Sequence, residues 1–212
     1  MGDGYGPIFV RKRSASSVRP STPTDDVGQR ELLRRGVVAV PGTMTSAFLA
    51  SRIYLGEFKY IVVPFDKIFD AVRDGRADVG LIIHEGQLTY GRAGFEKVVD
   101  LGEWWKSETG LPLPLGGNVI RKDIPSAVRH DILEIIRESI DYGLAHRKDA
   151  IRHSMPYARD MDTVLAGEFI GMYVNDFTRD YGETGRAAIR KFLGDASRAG
   201  YVERKPEVEF VE

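Results

Sequence analysis

Cysteine is absent from the 212 residues. That excludes disulfides, thiolate nucleophiles and cysteine-based metal sites, and it fits a reducing compartment. Charge imbalance is missing too: 30 basic against 31 acidic residues leave a formal charge of -1, so no global basic field is available to hold nucleic acid. No apolar run approaches the roughly 20 residues needed to cross a bilayer. The opening residues, Met1 to Pro7, have no basic flank followed by an apolar core, which speaks against a secretory signal. The chain also lacks a phosphate-loop motif, a dinucleotide-binding glycine fingerprint and a serine in a nucleophile elbow. What these absences leave is a cytoplasmic globular protein without a membrane span, long enough for one large domain or two small ones.

What is present is a strand-and-helix rhythm. Val79 to Ile83 form a short apolar run that follows polar turn residues and ends at His84, Glu85 and Gly86. Such a run fits a strand buried on both faces. Gly36 to Val40 and Tyr60 to Val63 read the same way. The helical pattern of Phe48, Leu49 and Ile53 follows the first of these, and that of Phe65, Ile68, Phe69 and Val72 follows the second, with Asp66 as a candidate cap. Strand, helix, strand, helix, strand over about fifty residues is the βαβ order of an α/β domain. Ile8 to Val10, Lys97 to Leu101 and Asn118 to Ile120 are expected to add short strands. Arg11 to Arg35, rich in Ser, Thr, Pro and charge, reads as a solvated connector, and its Arg11, Lys12 and Arg13 cluster as ordinary surface charge. Three helical stripes follow, at 126–153, 165–177 and 188–196, each expected to face a core. Trp104 and Trp105 are adjacent, so they are expected to be buried unequally, packing near a domain junction.

Ligands of open α/β sheets sit outside the carboxyl ends of the strands. His84 stands at such an end, and an imidazole with an ordinary pKa of about 6.5 can take or give a proton near neutrality. A histidine merely satisfied by a backbone carbonyl is the alternative. Glu85 would point to the opposite face if the strand continued, so the two are not expected to form a dyad. Pro41-Gly42 followed by Thr43, Thr45 and Ser46 makes a strand, a tight turn and a hydroxyl-rich helix start. Free amides and the helix dipole there suit an anion, although simple capping uses the same residues. Of the other histidines, His146 and His153 share a helix face with Asp149. Arg147, Lys148 and Arg152 around them oppose a divalent ion, so no metal site is expected.

Four stretches together resemble a known family: Pro41-Gly-Thr-Met-Thr-Ser-Ala47, Gly80-Leu-Ile-Ile-His-Glu-Gly86 with Phe65-Asp66 before it, Trp105 through the crossover Leu111-Pro-Leu-Pro-Leu-Gly116, and Tyr173-Val-Asn-Asp-Phe177 with Gly182. They are similar to the 1,4-dihydroxy-6-naphthoate synthases of the futalosine route to menaquinone, from Gly4 to about Val202. The resemblance implies an α/β, periplasmic-binding-protein-like (type II) two-lobe fold. It implies a carbon-carbon lyase that releases 1,4-dihydroxy-6-naphthoate from cyclic dehypoxanthine futalosine, with neither metal nor organic cofactor. By the same resemblance His84 is the proton acceptor, and Thr45, Ser46 and Ala47 bind substrate.

The resemblance also implies a further segment ahead of Ile8, so one lobe is expected to be incomplete at its N-terminus. The expected division is 1–35 as a remnant strand of lobe 1 plus connector, 36–115 as lobe 2 with the cleft residues, and 116–212 as a crossover strand and C-terminal helices of lobe 1. A complementing N-terminal fragment or a homo-oligomer is the partner this suggests. The alternatives are a non-catalytic small-molecule binding protein of the same fold and a truncated or split subunit inactive alone.

Overall fold

The computed structural model describes residues 1–13, 25–158, 161–204 and 206–211. In chain order the elements are β1 (Ile8–Lys12), α1 (Asp26–Arg35), β2 (Val37–Val40), α2 (Ser46–Leu55) and β3 (Lys59–Val62). Then come α3 (Ile68–Arg73), β4 (Val79–Ile82), α4 (Gly86–Thr89), β5 (Phe95–Asp100) and α5 (Leu101–Thr109). The C-terminal part is helical: α6 (Ser126–Ala145), α7 (Arg147–Ser154), α8 (Thr163–Tyr173), α9 (Asp176–Arg179) and α10 (Gly182–Arg198).

The five strands form one sheet in the order β3-β2-β4-β1-β5. β2 runs parallel to β3 and β4, with Val38 opposite Val79 and Ala39 opposite Gly80. β1 runs antiparallel to both of its neighbours, with Ile8 opposite Ile82 on one side and Asp100 on the other. Alternation along the strands builds two cores. Phe9, Val38, Val40, Val79 and Leu81 pack with Leu33, Phe48, Tyr54 and Trp105 on one face. Ile8, Val10, Ala39 and Ile82 pack with Ile68, Ala71, Val72 and Phe95 on the other. Cover on both faces explains why β2 and β4 read as nearly unbroken apolar runs rather than as alternating ones.

Several expectations need correction. Ile8–Val10 was expected to belong to the other lobe, yet β1 lies inside this sheet between β4 and β5. Pairing with strands seventy and ninety residues away is decided by long-range register, which a local pattern does not carry. The stretch 11–35 is not all connector. β1 extends to Lys12, and α1 is a helix held by the fully buried Leu33. Two arginines fix it further: Arg30 donates to the Tyr54 carbonyl, and Arg34 donates twice to that of Leu55 at 2.9 and 3.0 Å. They satisfy carbonyls at the C-terminus of α2, which otherwise have no helical partner. The Ser14 to Thr24 part of the expected connector lies outside the described residues. Asp66 is not the cap of α3: it lies within a 3-10 turn, Phe65–Lys67, and Lys67 takes the N-cap position. Residues 118–120 belong to no strand. The first helical stripe breaks at His146 into α6 and α7, and none of the 20 residues of α6 is buried.

Trp105 is buried and meets Phe192 of α10 edge-on at 5.5 Å, while Trp104 is half-buried against Tyr54. The pair therefore differs in burial as adjacent helical positions should. Two chain segments cross between the sheet and the C-terminal helices, residues 2–7 and 113–116. They are joined by a bridge in which Gly2 and Leu113 exchange backbone hydrogen bonds of 2.9 and 2.8 Å.

Gly80 lets α3 approach β4. A methyl group at this position would sit 2.5 Å from Ile68 Cγ2 and 3.2 Å from Val72 Cγ2, both on buried side chains. Gly80→Ala is expected to destabilise the fold by about 1–3 kcal/mol through overpacking, measured by urea denaturation at constant m-value.

Candidate active site

The register brings one end of the sheet together. β2 and β4 are parallel neighbours, so the chain leaves both at the same edge, about 4.8 Å apart. The start of β1 and the end of β5 reach that edge as well, because Ile8 faces Ile82 and Asp100. Two loops therefore emerge side by side: the Pro41–Thr45 turn into α2 and the Ile83–Glu85 turn into α4.

The first loop matches its sequence. Gly42 takes a positive φ of 148°. Thr45 is the N-cap of α2: its hydroxyl accepts from the Phe48 amide at 3.0 Å and donates to the Gly42 carbonyl at 3.2 Å. The Ser46 hydroxyl donates to the Leu115 carbonyl in the crossover, and Ala47 is buried. The Ser46 and Ala47 amides have no acceptor among the described residues. They are the donors a helix start offers to an anion. Thr45 thus does cap the helix, and the two amides after it are left without a hydrogen-bond acceptor among the described residues.

The second loop departs from strand geometry at once. β4 ends at Ile82, and Glu85 is already αR, with φ -53° and ψ -17°. The expected opposition of His84 and Glu85 is therefore lost, and Glu85 Oε2 lies 3.6 Å from His84 Nδ1. His84 Nδ1 accepts a 3.0 Å hydrogen bond from the Gly86 amide. The neutral ring in this arrangement carries its proton on Nε2, which is buried and makes no hydrogen bond of normal length and angle. Phe65 and Phe69 flank the imidazole with centroids 5.8 and 5.9 Å away, leaving 12% of the side chain exposed. Gly86 is required by this packing, since a methyl group there would lie 2.7 Å from both His84 Cε1 and Phe69 Cε2. Burial lowers the His84 pKa below its ordinary 6.5, while Glu85, the Phe65 backbone and Asp66 pull the other way. The result is a neutral imidazole at pH 7, with a carboxylate near enough to stabilise its cation.

Two residues that the sequence did not single out for the site support this turn, and a third lies at the same sheet edge. Gln87 is buried and donates to the carbonyls of Gly6 and Ile82 at 3.0 and 3.2 Å. The Tyr173 hydroxyl, on α8, lies 3.3 Å from both the Ile83 carbonyl and Gln87 Oε1, and burial pushes its pKa up to about 12. Asp100, at the same sheet edge, caps α5 by accepting from the amides of Gly102 and Glu103 at 2.7 and 3.2 Å. Its pKa is raised to about 6, chiefly by burial. The signals in sequence were weak: an acid ending an apolar strand, and an amide three residues after a histidine. The remaining histidine pair behaves as surface. His146 stacks on Tyr142 and contacts its carbonyl, and no group of three His, Asp or Glu fit to hold a metal occurs among the described residues. No described helix is long and apolar enough to cross a membrane.

A mixed sheet with an antiparallel strand inserted beside its centre, joined by two crossovers to a helical part and bearing its polar loops at one edge, defines the class. It is the type II periplasmic-binding-protein-like α/β fold. A periplasmic sulfonate-binding protein of Methylobacillus flagellatus superposes with a TM-score of 0.60 at 12% identity, over 97% of this chain and 62% of that one. A protein of Archaeoglobus fulgidus solved by crystallography matches more closely, with a TM-score of 0.84 and 38% identity over 95% of this chain and 70% of that one. In sequence, the 1,4-dihydroxy-6-naphtoate synthase of Thermus thermophilus is 34% identical over 211 residues, which is 100% of this chain and 72% of the relative. The menaquinone biosynthesis family model matches residues 1–198. The chain belongs to the menaquinone biosynthesis family and, like its Thermus relative, is an enzyme.

Two measurements check the electrostatics. The His84 Cε1 proton resonance is expected to titrate with a midpoint below 6.5, and in Glu85→Gln the midpoint falls further, because the charge that favours the cation is gone. The stability linked to a neutral His84 is complete above pH 6.5 and is lost as pH falls through the folded-state value. For Asp100 the sign is opposite. Its folded pKa of about 6 lies above the ordinary 3.8, so its contribution is complete below 3.8 and is lost as pH rises through 6. Asp100→Asn is expected to flatten the unfolding free energy between pH 4 and 6, as read from urea titrations at each pH.

Proposed function

We propose that the protein converts cyclic dehypoxanthine futalosine to 1,4-dihydroxy-6-naphthoate, with His84 as the base and the start of α2 as the anchor for the substrate's polar end. The observation that carries this reading is a neutral, mostly buried imidazole at the carboxyl end of β4, with the start of α2 leaving the end of the neighbouring parallel strand, in a chain 34% identical to an enzyme of that name. Position comes first in the chemistry. The amides at the helix start hold an acidic or carbonyl group, while the Phe65 and Phe69 rings keep water from the imidazole. A shift of the ring proton to Nδ1 exchanges the bond from the Gly86 amide for one to the Glu85 carboxylate 3.6 Å away, and leaves the Nε2 lone pair free. Nε2 then removes one proton from the substrate, and the electron pair left behind drives ring opening and carbon-carbon cleavage. The imidazolium that forms is stabilised by Glu85, which makes Glu85 a positioning residue.

The test is product formation from the futalosine derivative by the purified protein. His84→Gln is expected to lower kcat by about 10²- to 10⁴-fold while leaving substrate affinity within a few fold. Equal turnover by the variant removes His84 as the base. Absence of both turnover and calorimetric binding overturns the lyase reading.

A further inference from the structure

Three consecutive backbone carbonyls lead up to and include the proposed base: those of Ile82, Ile83 and His84. Each is held by Gln87 or by a group in contact with it. The Gln87 carboxamide nitrogen donates to the Ile82 carbonyl at 3.2 Å, and the Gln87 backbone amide donates to that of His84 at 2.9 Å. Between them, the Tyr173 hydroxyl lies 3.3 Å from both the Ile83 carbonyl and Gln87 Oε1. The other carboxamide hydrogen goes to the Gly6 carbonyl at 3.0 Å, in the crossover 2–7. Gln87 is only 7% exposed, so water hardly competes for these bonds.

The chemistry of the side chain matches its surroundings. A primary amide carries two donors on one atom and an acceptor on the other. Here two carbonyls meet the nitrogen and a hydroxyl meets the oxygen, so a single orientation of the amide satisfies all three. A side chain needed only to fill space could be apolar, because burying an amide is costly unless its groups are met. The direction of the bonds matters as well. Gln87 belongs to α4, a helix of four residues, yet its side-chain bonds run outward, to the strand end before the histidine, to the crossover and to α8. The peptide bearing the Gly86 amide, which donates to His84 Nδ1 at 3.0 Å, lies between the two peptides that the Gln87–His84 backbone bond joins.

We infer that Gln87 is a positioning residue for the proposed base: by holding the carbonyls of residues 82–84, directly and through the Tyr173 hydroxyl, it fixes where the His84 imidazole points. The inference rests on the lyase reading, in which Nε2 takes the proton, and it gives Gln87 no contact with substrate. None of these bonds reaches α2, so anchoring of the substrate is separable from the aim of the base.

The test compares Gln87→Met, Tyr173→Phe and Leu33→Ala in the purified protein. Gln87→Met keeps the length of the side chain and removes its donors and acceptor. It is expected to lower kcat by about 10- to 100-fold, the loss that a small misalignment gives, with KM within about threefold. The His84 Cε1 proton resonance, set by the flanking rings of Phe65 and Phe69, is expected to move toward that of an unpacked histidine. Tyr173→Phe releases one carbonyl and is expected to move the same resonance less, in the same direction. The double variant loses no more kcat than Gln87→Met alone, because both act through one set of bonds. Leu33→Ala opens a cavity under α1, which takes no part in these bonds, and is expected to lower Tm while leaving kcat and the resonance unchanged.

Two results overturn the inference: a Gln87→Met protein with wild-type kcat and an unmoved resonance, or a Leu33→Ala protein that matches Gln87→Met in both. Should Gln87→Met fail to fold, an unmoved resonance in Tyr173→Phe overturns it instead. The resonance is read without substrate, so the two readings fail separately. A moved resonance beside full turnover by His84→Gln rejects His84 as the base and keeps the hold of Gln87 on the ring. An unmoved resonance beside slow turnover by His84→Gln does the reverse.

Discussion

The position of β4 governs the rest. It is the middle strand of five, bonded on one edge to a parallel neighbour and on the other to an antiparallel one. Both faces are packed, and Gly80 is pressed by α3. A strand held on four sides has no freedom to slide, since a shift of one residue would exchange its two apolar faces. Its end is therefore a fixed point, and His84 inherits that fixity through a turn of two residues. The loop before α2 is located by the same sheet, one strand over. A site assembled from loops gains its accuracy from the rigid element that presents them.

Electrostatics at this point is a balance between burial and neighbouring charge. Two aromatic rings exclude water from the imidazole and disfavour its charged form, while a carboxylate 3.6 Å away limits how far that goes. Asp100, at the same edge, feels burial more strongly than its two amide donors relieve. Both groups are pushed toward neutrality by the same apolar surroundings, which is the setting in which proton transfer between a protein group and a bound molecule is inexpensive.

Much of the sheet was legible because its inner strands β2 and β4 are covered on both faces, so their composition alone announces them. Val79 to Ile83 and Gly36 to Val40 are such runs, and the place of His84 at the end of one of them followed. β1 was misplaced, since its partners are remote and only register decides among them. α1 was missed for another reason. It is polar nearly throughout, and its attachment comes from one buried leucine and two arginines reaching carbonyls of α2, none of which produces a periodic apolar signal. Residues 118–120 carry a strand-like composition without a partner strand, and composition cannot supply the partner. The nearness of Glu85 to His84 depended on the chain turning directly after Ile82, a change of backbone region invisible in side-chain pattern.

Tyr173 stands on a helix outside the sheet, yet its hydroxyl holds the carbonyl next to the histidine and the glutamine that braces the same turn. The helix carrying it is moored elsewhere: Asn175, just beyond its end, bonds to Met1 and to Tyr5, and Tyr5 bonds back to Met172. A tilt of the helical part would be transmitted along this tether to the peptide bearing the imidazole. The ring is thus a gauge of how the two parts of the molecule are seated, and its alignment is a shared property of both.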